Sequence, residues 1–429
     1  MLPGRRSYDS YHGAKHQEAV RKPIFLCAVA ILAAITPPCL CREGMRVDPA
    51  SGRIRVLFIG DTYMEAGEAQ PLMIQDPLIA VTPVLAESTL SRPEDLRRAI
   101  RQYLPRTPSS LWSGYDVVVI TAVQADTLPA DFLRWVVLGV EREGQGFLMA
   151  DDPASFGGVE FGSYPNPNWG ETPIGSLLPV ECHTDRKFWG TTYQYNLVPK
   201  IPDHPLVAGI NWRDVWFFSY NRVDAKVGAT TVGAMSRYPE GSPCLVYWDF
   251  GRGRSMAWLF DWGGNGAVQY YRWPHAVAVM ARMIYYPAGV PIPDDLAIAQ
   301  AVRRRFQNFE ALRRYTVSVV EFADKFGARI DRAERSLRDA AELKSEVLPL
   351  YASGMYDEAM AAIDAALLRL GDASAQAISA KNAALVWCYV IEWFVVAGTG
   401  MLCGAVLWGL MVKRKLYAEV PTVRLSRRI

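Results

Sequence analysis

The chain has 429 residues, half of them hydrophobic and 21% charged, with a formal net charge of +2. That length accommodates two or three domains, and so even a balance of charge gives no reason to expect a nucleic-acid partner, which would need a clustered basic face. Seven cysteines do not make a disulfide scaffold at this length.

Arg5, Arg6, Lys15, Arg21 and Lys22 precede an apolar run at residues 24–36. About 13 apolar residues fit a signal-peptide core, and counting residues 23–40 stretches the run to about 18, so an uncleaved anchor stays open. Residues 1–44 are therefore a signal peptide or N-terminal anchor. Residues 53–61 open a folded domain as a strand running into a Gly-Asp turn. Residues 93–103 carry Leu96, Ile100 and Tyr103 at helical spacing. Residues 115–121 form a continuous apolar strand, the pattern of a sheet covered on both faces. Residues 128–142 place Phe132, Trp135, Val136 and Val140 on one helical face, and Gly144 and Gly146 supply the C-terminal stop. Residues 147–150 are a short buried strand broken by Asp151-Asp152-Pro153. Strand, helix, strand, helix, strand at this spacing predicts an α/β fold with a doubly wound, flavodoxin-like, mostly parallel sheet.

Residues 156–211, rich in Gly, Pro, Asn and Trp, predict a long decorated loop with a short helix at 173–178. Strands are expected at 215–218, 230–235, 244–249 and 255–260, with Gly251-Arg252-Gly253 as a hairpin turn. A helix at 274–285 closes a domain spanning 45–293. Of the cysteines in that domain, Cys182 and Cys244 either pair in an oxidising compartment or remain buried thiols.

Residues 294–384 turn to helical periodicity, with breaks expected at Gly327, Ser353-Gly354 and Gly371-Asp372. They read as an α-helical hairpin stalk. Residues 385–412 end in about 20 positions without a charge, enough for a C-terminal transmembrane helix. Lys413-Arg414-Lys415 follow at once in a basic tail, 413–429, expected to be cytoplasmic. The 45–293 domain is then outside the cytoplasm, at the inner membrane of a bacterium. Gly400 and Gly404 form a GxxxG pattern suited to close helix packing, so the expected partners are the membrane and other membrane subunits or a second copy.

Four acids stand just after predicted strands: Asp61, Asp151, Asp152 and Asp261. Strand ends of a parallel sheet share one edge, so these side chains would suit a divalent cation such as Ca²⁺ or Mg²⁺, or sugar hydroxyls. The alternative is that each caps its own turn. Trp169 and Trp262 are the aromatic candidates beside them, against the alternative of core packing. No other cofactor is expected.

Several runs carry a resemblance. They are Arg55-Val56-Leu57-Phe58-Ile59-Gly60-Asp61, residues 115–121, Gly144-Gln145-Gly146-Phe147-Leu148-Met149 and Ser155-Phe156-Gly157-Gly158. Residues 173–180, His204-Pro205-Leu206, and Gly251-Arg252-Gly253-Arg254 leading to Asp261-Trp262 complete the set. In this order they resemble the class I glutamine amidotransferase-like superfamily, and within it the bacterial "putative glutamine amidotransferase" proteins akin to the trehalose-utilisation type. The resemblance implies a Cys–His–Glu triad in an active glutaminase, with the Cys on the turn after residues 147–150. Here that turn carries Ala150-Asp151, and residues 255–260 run into Asp261-Trp262-Gly263 without a His. No catalytic residue carries over, and a carboxylate is a poor substitute for the attacking thiolate. The resulting expectation is a membrane-anchored pseudoenzyme acting as a binding or assembly subunit. The alternatives are a carboxylate- or metal-dependent hydrolase acting on a glycan or other envelope substrate, and a purely structural envelope subunit.

Overall fold

A computed structural model describes residues 44–60, 69–86, 93–151, 154–157, 168–183, 194–217, 220–237, 241–261, 270 and 272–425. The predicted signal peptide or anchor, Asp61, Asp152 and Trp262 lie outside the described residues.

The first half is built on strands β1 (Ile54–Gly60), β2 (Ile79–Leu85), β3 (Val117–Ile120) and β4 (Gly146–Asp151). Helices α1 (Ala69–Met73), α2 (Pro93–Tyr103), α3 (Pro108–Gly114) and α4 (Ala130–Glu143) connect them. β5 (Val180–Cys182), β6 (Leu197–Pro199), β7 (Val223–Ala225), β8 (Thr230–Met235), β9 (Pro243–Phe250) and β10 (Gly253–Asp261) follow, then α5 (Ala276–Tyr285). Eight strands form one sheet in the order β2-β1-β3-β4-β10-β9-β8-β6, and β5 pairs with β7 in a small second sheet. From β2 through β10 the pairings are parallel, and from β10 to β6 they are antiparallel. The sheet is thus mixed but mostly parallel, with β10 as the seam.

The central strands explain themselves. β3 is buried at every position and β1 at all but Arg55, the continuous burial of strands covered on both faces. β2 was not apparent in the sequence. It is an edge strand with four partly or fully exposed residues in a row, Ala80 to Pro83, the position where a proline is tolerated in a sheet. The expected strand at 215–218 reduces to a single bridge between Phe217 and Tyr195. The Nδ2 of Asn196 donates to the Val215 carbonyl, so that backbone is satisfied without a ladder.

Three long helices follow: α6 (Leu296–Lys325), α7 (Asp331–Ala352) and α8 (Tyr356–Leu425). Asp295 caps α6 by accepting from the Ala297 and Ile298 amides. The break at Gly327 is present, and this residue takes φ +71°, which a side chain would resist. Two expectations are corrected. The turn at Gly371-Asp372 does not exist, because α8 runs through it unbroken; one interior glycine costs only about 1 kcal/mol relative to alanine, and good helix formers flank it. Nor do residues 294–384 form a free hairpin stalk. α8 packs along both α6 and α7, and Val302, Phe306, Phe309, Val347 and Tyr351 belong to the same buried core as the sheet. Residues 44–429 form one compact unit.

That union is sealed by polar groups. Asp76, fully buried in the turn before β2, pairs with Arg303 of α6, Nε to Oδ2 at 2.5 Å. The Tyr285 hydroxyl of α5 donates to Asp76 Oδ1 at 2.6 Å, and the Leu78 amide donates to the same oxygen at 3.0 Å. Burial alone would pull the Arg303 pKa down; Asp76, with Tyr351 and Tyr285, outweighs it, and the net shift is upward.

Candidate site at the carboxyl edge of the sheet

In an open α/β sheet, ligands bind outside the carboxyl ends of the parallel strands, near the point where strand order reverses. Here β2 lies on one side of β1 and β3 on the other, which places that point between β1 and β3. The two strand ends approach closely: a Cβ on Gly60 would lie 2.3 Å from the Thr121 carbonyl oxygen, so no larger residue fits. Directly beyond, Ala122 takes φ +56° and, after β4, Phe156 takes φ +51°. These are the non-glycine residues at positive φ among the described residues. Such strain persists only where the surroundings enforce it, and both cases stand at this edge.

The candidate acids divide. Asp151 ends β4 and Asp261 ends β10, and the two are register partners across adjacent parallel strands, about 5 Å apart at the backbone. The pairing slips between Trp258 and Asp261, where β10 carries extra residues. Bulges of this kind re-aim side chains at sheet ends. β1, ending at Gly60, stands two strands from β4, or about 10 Å away. The side chains of Asp151 and Asp261 fall outside the described part, as do Asp61 and Asp152 entirely.

Beneath this pair lies an aromatic floor. Phe260, bridged to Tyr220 within the bulge, stacks on Phe217 at 4.2 Å between centroids and 3° between planes. Trp258 meets both edge-on, at 5.3 Å and 5.4 Å. Trp169 is corrected from a candidate stacking platform to a clamp. It is fully buried, and its indole N–H donates to the carbonyls of Val123 and Ala154, each at 3.1 Å, joining the loop after β3 to the turn after β4. Ser155 in that turn is buried, and its Oγ finds no hydrogen-bond partner among the described residues.

A cleft of about 410 Å³ opens beside the same edge, lined by Arg97, Arg101, Asp126, Thr127, the first turn of α4 and Thr172-Pro173. Arg97 pairs there with Asp126 at 2.6 Å. Neither residue stood out in the sequence, because nothing in their spacing links α2 to the loop after β3.

Cys182 and Cys244 are both free thiols. Burial raises the Cys182 pKa to about 12 and that of Cys244 well above its usual value, so neither is an activated nucleophile. His204 lies between the rings of Tyr247 and Tyr286, at 5.3 Å and 5.2 Å. Its Nδ1 accepts from the Leu206 amide and its Nε2 faces the Tyr286 hydroxyl at 3.2 Å. It is a turn element, its carbonyl accepting from the Val207 and Ala208 amides.

Along α8, the stretch from Tyr356 to Tyr417 is long and apolar enough to cross a membrane, by length and composition. Its aromatic and aliphatic side chains from Val386 to Val412 face outward. A methyl group at Gly400 or Gly404 would meet no atom within 4 Å, so the GxxxG face is uncovered within the chain.

These features define an α/β protein with a candidate site on the carboxyl edge of a mostly parallel sheet. Residues 110–286, from α3 through α5, match the family described as "Putative glutamine amidotransferase", which supports the amidotransferase-like superfamily for that stretch. No curated protein matches the chain. Among solved structures, it is similar to the cytoplasmic protein STM1381 from Salmonella typhimurium LT2, at 20% identity and a TM-score of 0.44, covering 55% of this chain and 99% of that one. The cytoplasmic protein STM3548 from Salmonella typhimurium gives 20% identity and 0.45 over the same shares. A beta-galactosidase from Rahnella sp. R3 gives 13% and 0.35, covering 64% of this chain and 36% of that one.

Proposed function

We propose that this chain is a membrane-anchored, non-catalytic amidotransferase-like protein, held outside the cytoplasm at the inner membrane of a bacterium as a binding or assembly subunit. The observation that carries the reading is α8. Its first part is buried in the bundle against α6 and α7, while its later part presents apolar side chains outward on all sides. An apolar helix surface of that extent needs lipid or other helices around it. The chemistry of the edge agrees: β4 runs into Ala150-Asp151 where a glutaminase needs a thiolate, and β10 ends in Asp261 rather than leading to a His. The purified chain in detergent is expected to release no ammonia from glutamine. Release that a single substitution abolishes would refute the non-catalytic reading.

One observation favours a second reading. The register pairing of Asp151 with Asp261 brings two carboxylate-bearing positions together at the ligand edge. Such a pair suits a divalent cation or general acid–base work, and hence a carboxylate- or metal-dependent hydrolase of a glycan or other envelope substrate.

A further inference from the structure

The bundle has a free tip, the turn between α6 and α7, and its height along α8 is fixed by contacts. Asp339 of α7 pairs with Arg369 of α8 at 3.2 Å, Ser336 meets Gln376 at 3.4 Å, and Ala333 clusters with Ala377. As α7 runs back toward its start, α8 advances by about the same count. Val319 and Val320 of α6 belong to the cluster around Ala377. Phe326, one residue past the end of α6, therefore stands level with Ala384, the last buried residue of α8. Only three residues further, about 5 Å along the axis, comes Trp387, followed by Tyr389 and Trp393. These exposed aromatics form the kind of belt that marks a membrane–water boundary.

The tip has the composition for that boundary. Phe322 and Phe326 are 41% and 44% exposed and pack on each other at 4.8 Å. Lys325, Arg329 and Arg332 are close to them in the chain, all exposed, with Lys381 half-buried on α8 and Glu321, Asp324, Asp331 and Glu334 as the nearby carboxylates, all exposed. Among the described residues none of these four cations is in an ion pair. Two exposed apolar rings flanked by cations outside any ion pair, at the height where α8 turns apolar, match a surface of anionic headgroups over acyl chains.

We propose that the α6–α7 turn is a second membrane contact, in which Phe322 and Phe326 insert at the interface and Lys325, Arg329 and Arg332 engage anionic lipid headgroups. The α/β unit is thereby held at a fixed height and tilt. This rests on the reading of α8 as a membrane anchor. The test reconstitutes the full chain in vesicles of phosphatidylcholine with phosphatidylglycerol, carrying a photo-crosslinking phenylalanine analogue at Phe326. The same analogue at Phe394, within the apolar part of α8, and at Val227, exposed on the α/β unit, gives the two references. Lipid crosslinking at Phe326 and Phe394 but not at Val227 is expected. Each basic residue near an anionic surface biases contact about fivefold, so Arg329→Gln with Arg332→Gln should weaken the contact at Phe326 by up to about 25-fold and leave Phe394 unchanged. Crosslinking at Phe394 without Phe326 would overturn the tip contact and leave the anchor standing. Its absence at Phe394 would remove the anchor reading, and the tip contact with it.

Discussion

Asp76 and Arg303 meet in the interior, between a turn of the α/β sheet and the first helix of the bundle, with side chains 0% and 5% exposed. The contact makes the helices part of the domain rather than a tether beneath it. A neighbouring contact agrees, since Gln307 of α6 donates to the Gln75 carbonyl at 3.2 Å.

Removing one partner of this pair should be costly. Asp76→Ala strands a buried guanidinium, and Arg303→Ala strands a buried carboxylate. Either should destabilise the chain by about 3–5 kcal/mol, whereas replacing both by apolar residues of similar size should cost far less. Denaturant unfolding of the single and double variants in detergent checks this. A loss in the double variant equal to the sum of the two single losses would show that the pair is not coupled.

How much of this was legible in the sequence depended on range. β1, β3, β4 and α4 were readable because each is a local run of one period, and the Asp151 turn was readable from its position after β4. The Asp76–Arg303 pair was not. It joins residues far apart in the chain, and Gln75-Asp76-Pro77 reads locally as a polar turn. The Asp151–Asp261 register was half legible: both acids follow strands, but only the sheet order makes those strands neighbours. The bulge that sets the pairing has no local signature. Trp169 misled for a physical reason, since an indole beside polar loop residues serves a ligand or a buried N–H clamp equally well.

The two thiols should be inert in the folded chain. With both pKa values raised by burial, a thiol reagent at pH 8 should leave Cys182 and Cys244 unlabelled until the protein unfolds. Mass analysis without reductant should find no link between them. The ionised thiolate is favoured in the unfolded chain from about its ordinary pKa of 9.0, and in the fold at Cys182 only near 12. Stability should therefore decline as pH rises through that window, and Cys182→Ala should lessen the decline.

Acid should act through His204. Burial first, and then Arg254, lower its pKa below the ordinary 6.5, so the fold favours the neutral ring. A depressed pKa stabilises above the unfolded value and loses that contribution as pH falls through the folded one. The unfolding temperature should drop as pH falls below the ordinary histidine value of 6.5, and His204→Gln should flatten that limb. An unchanged limb would show that the ring is not held neutral.

The acid pair separates the two functional readings. If Asp151 and Asp261 hold a divalent ion, Ca²⁺ or Mg²⁺ at 100 times its dissociation constant should stabilise the chain by about 2.7 kcal/mol through mass action. Asp151→Asn should remove that shift. No shift with any divalent ion would leave the acids as turn caps.

The central claim is that the chain works as part of a membrane assembly, and its mass in mild detergent tests it most directly. Small residues let helix backbones approach, and Gly400 and Gly404 have nothing against them within the chain. Protein extracted from its own membranes should sediment well above the 47.8 kDa of one chain. Gly400→Ile with Gly404→Ile should reduce that mass toward a single chain while the α/β unit stays folded. A wild type that sediments as one chain, unchanged by the double substitution, would contradict the account.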